Sequence, residues 1–358
     1  MSMARQLDIL ALEPFYGGVR KSTLELIAQH SRHRWTIHKL PARRIERRLS
    51  AAAHWFSEQV SRQSLGKYHA VFTSDALNLA DLLRLMPALA RIPSVAYFYS
   101  NQLSPSAGTD DQVKIATLST ANSATELWFP SMYHMRSFLS DAAIMSDQHP
   151  ELGGREPLRA IVSKAQLVHP PVDLVPPAHD SEVVDAERRG RAICVDNRAV
   201  APELYSSFLD AVAQRKEPMT LQVIGDALPH VSQGMQVVVD VRRDAEVTRA
   251  LRCAEIFITA QDPAAFDPLS LRAMAMGCIP VRPEGGFFRE LIPDALHKWC
   301  LFNGAADDLV SKVMDLWYLR RPAVARSELD RIFARYTPIT ATGFVDNRLE
   351  QLVETAGR

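Results

Sequence analysis

The chain has 358 residues, 47% of them hydrophobic, enough for two cores of ordinary size. No apolar run reaches the roughly 18 residues a membrane helix needs, and the four cysteines form no CxxC pair, which excludes a zinc knuckle. Formal net charge is zero, but residues 1–70 carry 12 basic and 5 acidic side chains, leaving 29 and 36 for the rest. The start, "MSMARQLDIL", lacks the apolar core of a signal peptide, and four separate thiols suit a reducing compartment, so a cytoplasmic protein is expected.

Strand-like and helix-like segments alternate from the beginning. The run "LDILALE" ends at a Pro-Phe-Tyr-Gly-Gly turn, behind which Arg20 and Lys21 open a helical pattern over 22–30. Next come "WTIHKL", a helix over 45–62, "AVFTS", a helix over 77–90 capped by Asp75 or Asn78, and "SVAYFYS". Helices over 112–124 and 132–143 flank "ELWFPS", Ser131 caps the second, a turn-rich surface loop covers 147–157, and "AQLVHPP" follows. The proline-rich, charged stretch over 174–190 reads as a linker. Alternation then restarts with "RAICVD", a helix over 202–215, "MTLQVIG", "MQVVVDV", a helix over 245–253, "EIFITA", a helix over 269–276 and "IPVRP". The expected fold is therefore α/β, with two Rossmann-like doubly wound domains over 1–173 and 191–325, facing each other across a cleft. Two helical patterns over 326–358 close the chain and are expected to cross back to the first domain.

Ligands of such sheets bind beyond the carboxyl ends of the strands. There Gly17 and Gly18 permit close backbone approach to an anion, although the spacing is neither GxGxxG nor a P-loop. Tyr99, Ser100, Asn101 and Gln102 crowd the end of the fourth strand. In the second half Arg198 ends the first strand, suited either to clamp a diphosphate or to pair with Asp196. Gly225 ends the next strand, where a small residue admits a base or ribose. The segment "ITAQDPAAFDPLSLRAMAMGCIPVRPEGGFFREL" offers a helix N-terminus and the Gly285-Gly286 turn as anion contacts. The run "PARRIERRLS" places Arg43, Arg44, Arg47 and Arg48 together, either as a solvated helix face or as a surface for a phosphate-rich partner such as RNA.

The stretches "EPFYGGVRKS", "LPARRIERR", "SDALNLADL", "YFYSNQL" and "AMGCIPVRPEGGFFRELIP" resemble the landmarks of the tRNA-queuosine mannosyltransferases, retaining glycosyltransferases of the GT-B fold. The resemblance implies transfer of mannose from GDP-mannose to the queuosine of a tRNA anticodon. It implies no metal or other cofactor, with the departing phosphate oxygen as base. Carried across, Gly17 and Gly18 match the family's glycine turn and Lys21 its lysine, while Arg20 replaces a histidine. Asn101 and Gln102 match the end of a "HENQ" motif whose first two residues here are Tyr99 and Ser100. Arg198 matches the donor-phosphate arginine, Glu203 stands near the place of a missing lysine, and Glu290 is kept. The paired glutamates of such enzymes are replaced by Ala264 and Arg272.

On this basis Arg198, Arg272 and Asn101 are the expected catalytic residues. Gly17, Gly18, Arg198, Gly225, Arg272, Gly285, Gly286 and Glu290 are expected to hold the donor. Arg20, Lys21, Arg44, Arg47, Arg48, Tyr99, Asn101 and Gln102 are expected to face the acceptor or RNA. The expected partners are a nucleotide sugar and tRNA, with no membrane. The alternatives are a GT-B-shaped nucleotide- or RNA-binding protein without turnover, or an enzyme acting on a DNA base or a small molecule.

Overall fold

The structure is a computed structural model that describes residues 6–61, 65–148, 155–174, 192–198, 204, 208, 210, 220–226, 236–240, 242–260, 265–318 and 326–357. Most of the linker over 174–190, nearly all of the helix expected over 202–215, and Glu203 and Ala264 lie outside the described residues. The chain divides into two compact units, one formed by Met1–Val172 with Arg335–Arg358 and the other by Asp173–Ala334.

The first unit is built on six parallel strands: β1 (Asp8–Tyr16), β2 (Arg34–Pro41), β3 (Ala70–Ser74), β4 (Ser94–Tyr97), β5 (Glu126–Phe129) and β6 (Ala165–Leu167). Their order is β2-β1-β3-β4-β5-β6, so the direction of winding switches between β1 and β3. The register is exact across the centre, with Leu10 opposite Val71 and Val71 opposite Ser94. Side chains alternate between the faces of the sheet. Leu10 and Leu12 join a core with α2 (Ile45–Val60), α3 (Leu79–Leu85), α4 (Asp111–Ser123), α5 (Met132–Gln148) and α6 (Arg155–Lys164). Ile9 and Ala11 join the opposite core with α1 (Gly18–His30).

Caps explain the helix starts. Asn78 accepts from the Asp81 N–H and Asp110 from that of Val113, while the Ser131 hydroxyl accepts from the His134 N–H. Asn78 rather than Asp75 therefore caps α3. The turn-rich segment over 147–157 is in part helical, since α5 runs to Gln148 and α6 begins at Arg155.

The second unit has its own six parallel strands: β7 (Ala192–Asp196), β8 (Thr220–Ile224), β9 (Gln236–Val239), β10 (Ala254–Thr259), β11 (Ile279–Pro283) and β12 (Leu301–Phe302). Their order, β12-β11-β10-β7-β8-β9, switches between β7 and β10. One face packs on α7 (Asp244–Cys253) and α8 (Pro268–Ala275), and the other on α11 (Ala306–Tyr318), with α9 (Phe288–Leu291) and α10 (Asp294–Cys300) between α8 and α11 in sequence.

Of the two closing helices, α12 (Arg326–Ala334) belongs to the second unit and α13 (Pro338–Ala356) to the first. Val345, Leu349 and Leu352 pack α13 into the core with Leu24 and Ile27 of α1. The buried Asp346 carboxylate accepts from the Ser31 hydroxyl at 2.5 Å and the Arg32 N–H at 2.9 Å. No helix among the described residues is long and apolar enough to cross a membrane.

Candidate functional site

In the first unit the switch between β1 and β3 brings the ends of those strands together with the start of α1, and a polar cluster sits there. Glu13 lies near the end of the buried run of β1 and is 1% exposed; its Oε1 accepts from the Phe15 N–H at 2.8 Å and the Ser74 hydroxyl at 3.0 Å. Burial raises its carboxyl to about 7, against the opposing pull of the Arg20 guanidinium. Arg20 donates through Nη2 to both oxygens of Asp75 at 2.8 Å and stacks near Phe15 and Tyr99, with ring centroids 5.6 and 5.5 Å away. The Ser100 hydroxyl donates to Asp75 at 2.7 Å and accepts from the Gln102 amide at 2.9 Å.

This placement corrects the reading of Arg20 as an RNA-facing cation. Arg20, Thr23, Leu24 and Ile27 are the buried positions of α1, one helical stripe facing the sheet. Tyr99 and Gln102 are buried as well. Asn101 is turned toward α5, its amide donating to the Ser137 hydroxyl at 2.9 Å and to Asp141 at 2.6 Å. A role for Asn101 at the reacting atoms would require it to leave these partners.

The glycine turn is open on one side only. Gly17 is extended, and a Cβ there would meet the Ala42 Cβ at 2.5 Å. Gly18 has φ +52° with nothing within 4 Å of an added Cβ, so the backbone before α1 is bare. Lys21 is exposed, 4.0 Å from Glu25. Tyr16 lies beneath the ammonium of Lys39, with the Nζ 4.1 Å from its ring centroid. Arg43, Arg44 and Arg47 are exposed around the start of α2, and Arg48 is half-buried, donating to the Pro41 carbonyl at 2.9 Å.

In the second unit the switch point lies between β7 and β10. Arg198 donates through Nε and Nη2 to the buried Asp196 carboxylate at 2.7 and 2.8 Å, and its side chain keeps 40% of its exposure. Gly225, with φ +111°, lies against it; a Cβ there would come within 3.1 Å of the Arg198 Cγ. The clamp and the pairing with Asp196 are thus compatible, because one fork edge is held and the rest of the guanidinium faces out. Arg272 differs: its guanidinium donates to Asp244 at 2.6 Å and the Thr248 hydroxyl at 2.8 Å, tying α8 to α7. The expected second cation at the diphosphate is committed elsewhere.

The sequence did not single out Arg282 or Asp267. Arg282 of β11 is fully buried, bonded to Asp267 and Ser270, with its guanidinium carbon 3.6 Å from the Phe288 ring centroid. Asp267 also caps α8, accepting from the Leu269 N–H at 3.0 Å. The helix N-terminus after β10 is thereby fixed at the switch point. Gly285 and Gly286, at φ +130° and +56°, form the turn before α9, on which Glu290 is exposed.

Residues 8–172 match the family described as tRNA-queuosine alpha-mannosyltransferase N-terminal. The first 172 residues of the chain thus resemble this family. The tRNA-queuosine alpha-mannosyltransferase of Drosophila melanogaster is 24% identical over 364 residues, covering 94% of this chain and 93% of that protein. Among solved structures, Anabaena HepE in complex with UDP is similar at a TM-score of 0.68 and 14% identity, over 96% of this chain and 100% of that one. Sucrose-phosphate synthase from Thermosynechococcus elongatus is similar at 0.68 and 13% identity, over 98% and 100%. These likenesses show the GT-B fold. Against the family's "HENQ" motif, Tyr99 stacks on Arg20 and Ser100 bonds to Asp75, so both substituted positions are absorbed into the cluster around Arg20.

Proposed function

We propose that this protein is a glycosyltransferase that takes a sugar from a nucleotide-sugar donor held by the second unit and delivers it to queuosine in tRNA, presented to the first. The observation that carries this reading is the end-to-end likeness to the Drosophila enzyme, over 94% of the chain. The switch point of the second unit is compatible with it. Arg198 offers a partly exposed cation anchored by Asp196, Gly225 leaves the strand end clear, and α8 presents its positive end. Such charges stabilise a departing diphosphate without a metal. GDP-mannose is the first donor to test and UDP sugars the second. The four cysteines, none of them in a disulfide, fit a reducing, cytoplasmic setting.

The test is release of GDP or UDP from a panel of nucleotide sugars, with and without bulk tRNA, in the presence of a chelator. The expected result is tRNA-dependent release that the chelator leaves unchanged and that Arg198→Ala lowers by about ten- to a hundredfold, the loss of one charge-assisted contact. Binding of a nucleotide sugar with no release would move the protein to a second reading, a GT-B-shaped binder without turnover. Arg272 favours that alternative, since its charge is held by Asp244 and Thr248.

A further inference from the structure

The helices α2, α3 and α4 follow β2, β3 and β4, so their first turns gather at the carboxyl edge of the first sheet. Between those turns lies a cavity of about 410 Å³. Its apolar part is buried Leu49 and Val113 with half-buried Ala116. Its polar part is Arg47, Asn78, Asp81, Asp110 and Gln112. The volume falls within the ~300–1,000 Å³ of small-ligand clefts.

The chemistry of the lining is selective. Asp81 gives Oδ2 to the Asn78 amide at 2.8 Å, and Asp110 gives Oδ1 to the Val113 N–H at 2.8 Å. The second oxygen of Asp110 is the acceptor offered to a ligand, that of Asp81 lies 3.9 Å from the exposed Arg84 guanidinium, beyond hydrogen-bond distance, and can still accept, and the exposed Gln112 amide adds both a donor and an acceptor. Two carboxylates disfavour a phosphate inside the cavity, whereas they suit a planar base with N–H donors on its pairing edge. At the mouth stands Arg47, in the same run as Arg43, Arg44 and Arg48, within the segment that carries the excess of positive charge. A polyanion with phosphates outside and hydrogen-bonding bases inside matches both features.

We infer that this cavity receives one unpaired nucleotide of the RNA substrate, its base among Asp81, Asp110 and Gln112 and its phosphate on Arg47. Single-stranded RNA loops are recognised in this way, by bases splayed out of the stack. The inference rests on the proposed tRNA acceptor, and adds a second nucleotide contact beyond the base that is modified.

The test is binding of an RNA hairpin with an unpaired loop, and of the same hairpin with its loop nucleotides made abasic, to four proteins: wild type, Gln112→Ala, Ala116→Phe and Arg44→Glu. Ala116→Phe fills the cavity; Gln112→Ala removes an exposed side chain and leaves the fold intact if the filled variant melts early. The two cavity variants are expected to bind the intact loop about 2- to 10-fold more weakly, the scale of one hydrogen bond, and the abasic hairpin as the wild type does. Arg44→Glu is expected to weaken both RNAs and to flatten the salt dependence. Equal binding of the intact loop by wild type and cavity variants overturns the inference. Equal losses on intact and abasic RNA, or mononucleotides competing as well as the loop, also overturn it. The two ideas fail separately. Absent sugar transfer with loop-dependent RNA binding intact overturns only the proposed activity, and transfer to tRNA with loop binding unchanged in both cavity variants overturns only the cavity.

Discussion

Each unit buries an arginine against an aspartate near the switch point of its sheet, but the two pairs differ in what surrounds them. Arg282 has Asp267 as its carboxylate, and Asp267 also holds the start of α8. Arg20 has Asp75 beside it and Glu13 as a second carboxylate within electrostatic reach. The second unit therefore uses its pair to fix backbone. The first keeps one more acid than its cation balances, and its Glu13 carboxyl lies near 7. A surplus acid in a buried site makes the first unit respond to pH near neutrality.

Removing each aspartate tests that contrast, and Asp267→Ala is expected to cost the most. It strands a buried guanidinium, at about 3–5 kcal/mol, and removes a cap worth about 1 kcal/mol. Asp75→Ala is expected to cost less, about 1.5–3 kcal/mol, because Glu13 remains as a counter-charge. Denaturant unfolding of both variants decides the order, and equal losses would show that Glu13 does not share Arg20. The same Asp75 variant should lower the Glu13 carboxyl, since Asp75 is one of the charges raising it.

The pH dependence sharpens the point. Glu13 is raised from 4.5 to about 7 in the folded chain, so the native state keeps a proton that the unfolded state releases between those values. Stability should fall as pH rises through that window, by up to about 1.4 kcal/mol per pH unit, and then level off above it. Glu13→Gln keeps an acceptor for Phe15 and Ser74 while removing the titration. Its stability should match wild type near pH 4 and exceed it at pH 8; parallel curves for the two proteins would contradict the assignment. A smaller effect than at Asp267 is expected at the half-exposed pair of the second unit. Arg198→Ala takes the guanidinium from the buried Asp196 carboxylate and should cost about 1.5–3 kcal/mol, so its nucleotide binding is compared with wild type only at a temperature where melting shows the variant folded.

Much of this architecture is legible in the sequence because parallel strands buried on both faces read as apolar runs, and "LDILALE", "AVFTS" and "EIFITA" do so. The same burial hid Glu13, a single acid at the end of such a run. Arg20 reads as exposed because it follows the Gly17-Gly18 turn and precedes a lysine, as exposed basic turns do. Its spacing of three, four and seven from Thr23, Leu24 and Ile27 carried the information that it faces inward. Helix α6 was masked by the turn-rich residues before it, and the two residues of β12 are too few to show any period. Arg282 is invisible in "IPVRP" because its partner lies 15 residues earlier, beyond a helix.

The return of α13 to the first unit has a consequence for biosynthesis. Val345 and Leu349 complete a core with Leu24 and Ile27, which are made more than 300 residues earlier, and Asp346 bonds to Ser31 beside it. All of Asp173–Ala334 must be translated between Val172 and Arg335. At about 5–20 residues per second that delay is on the order of 10–30 s. During it the second unit emerges with its chain unbroken, while the face of α1 that will meet α13 stays uncovered at the ribosome, open to chaperones until the last helix arrives.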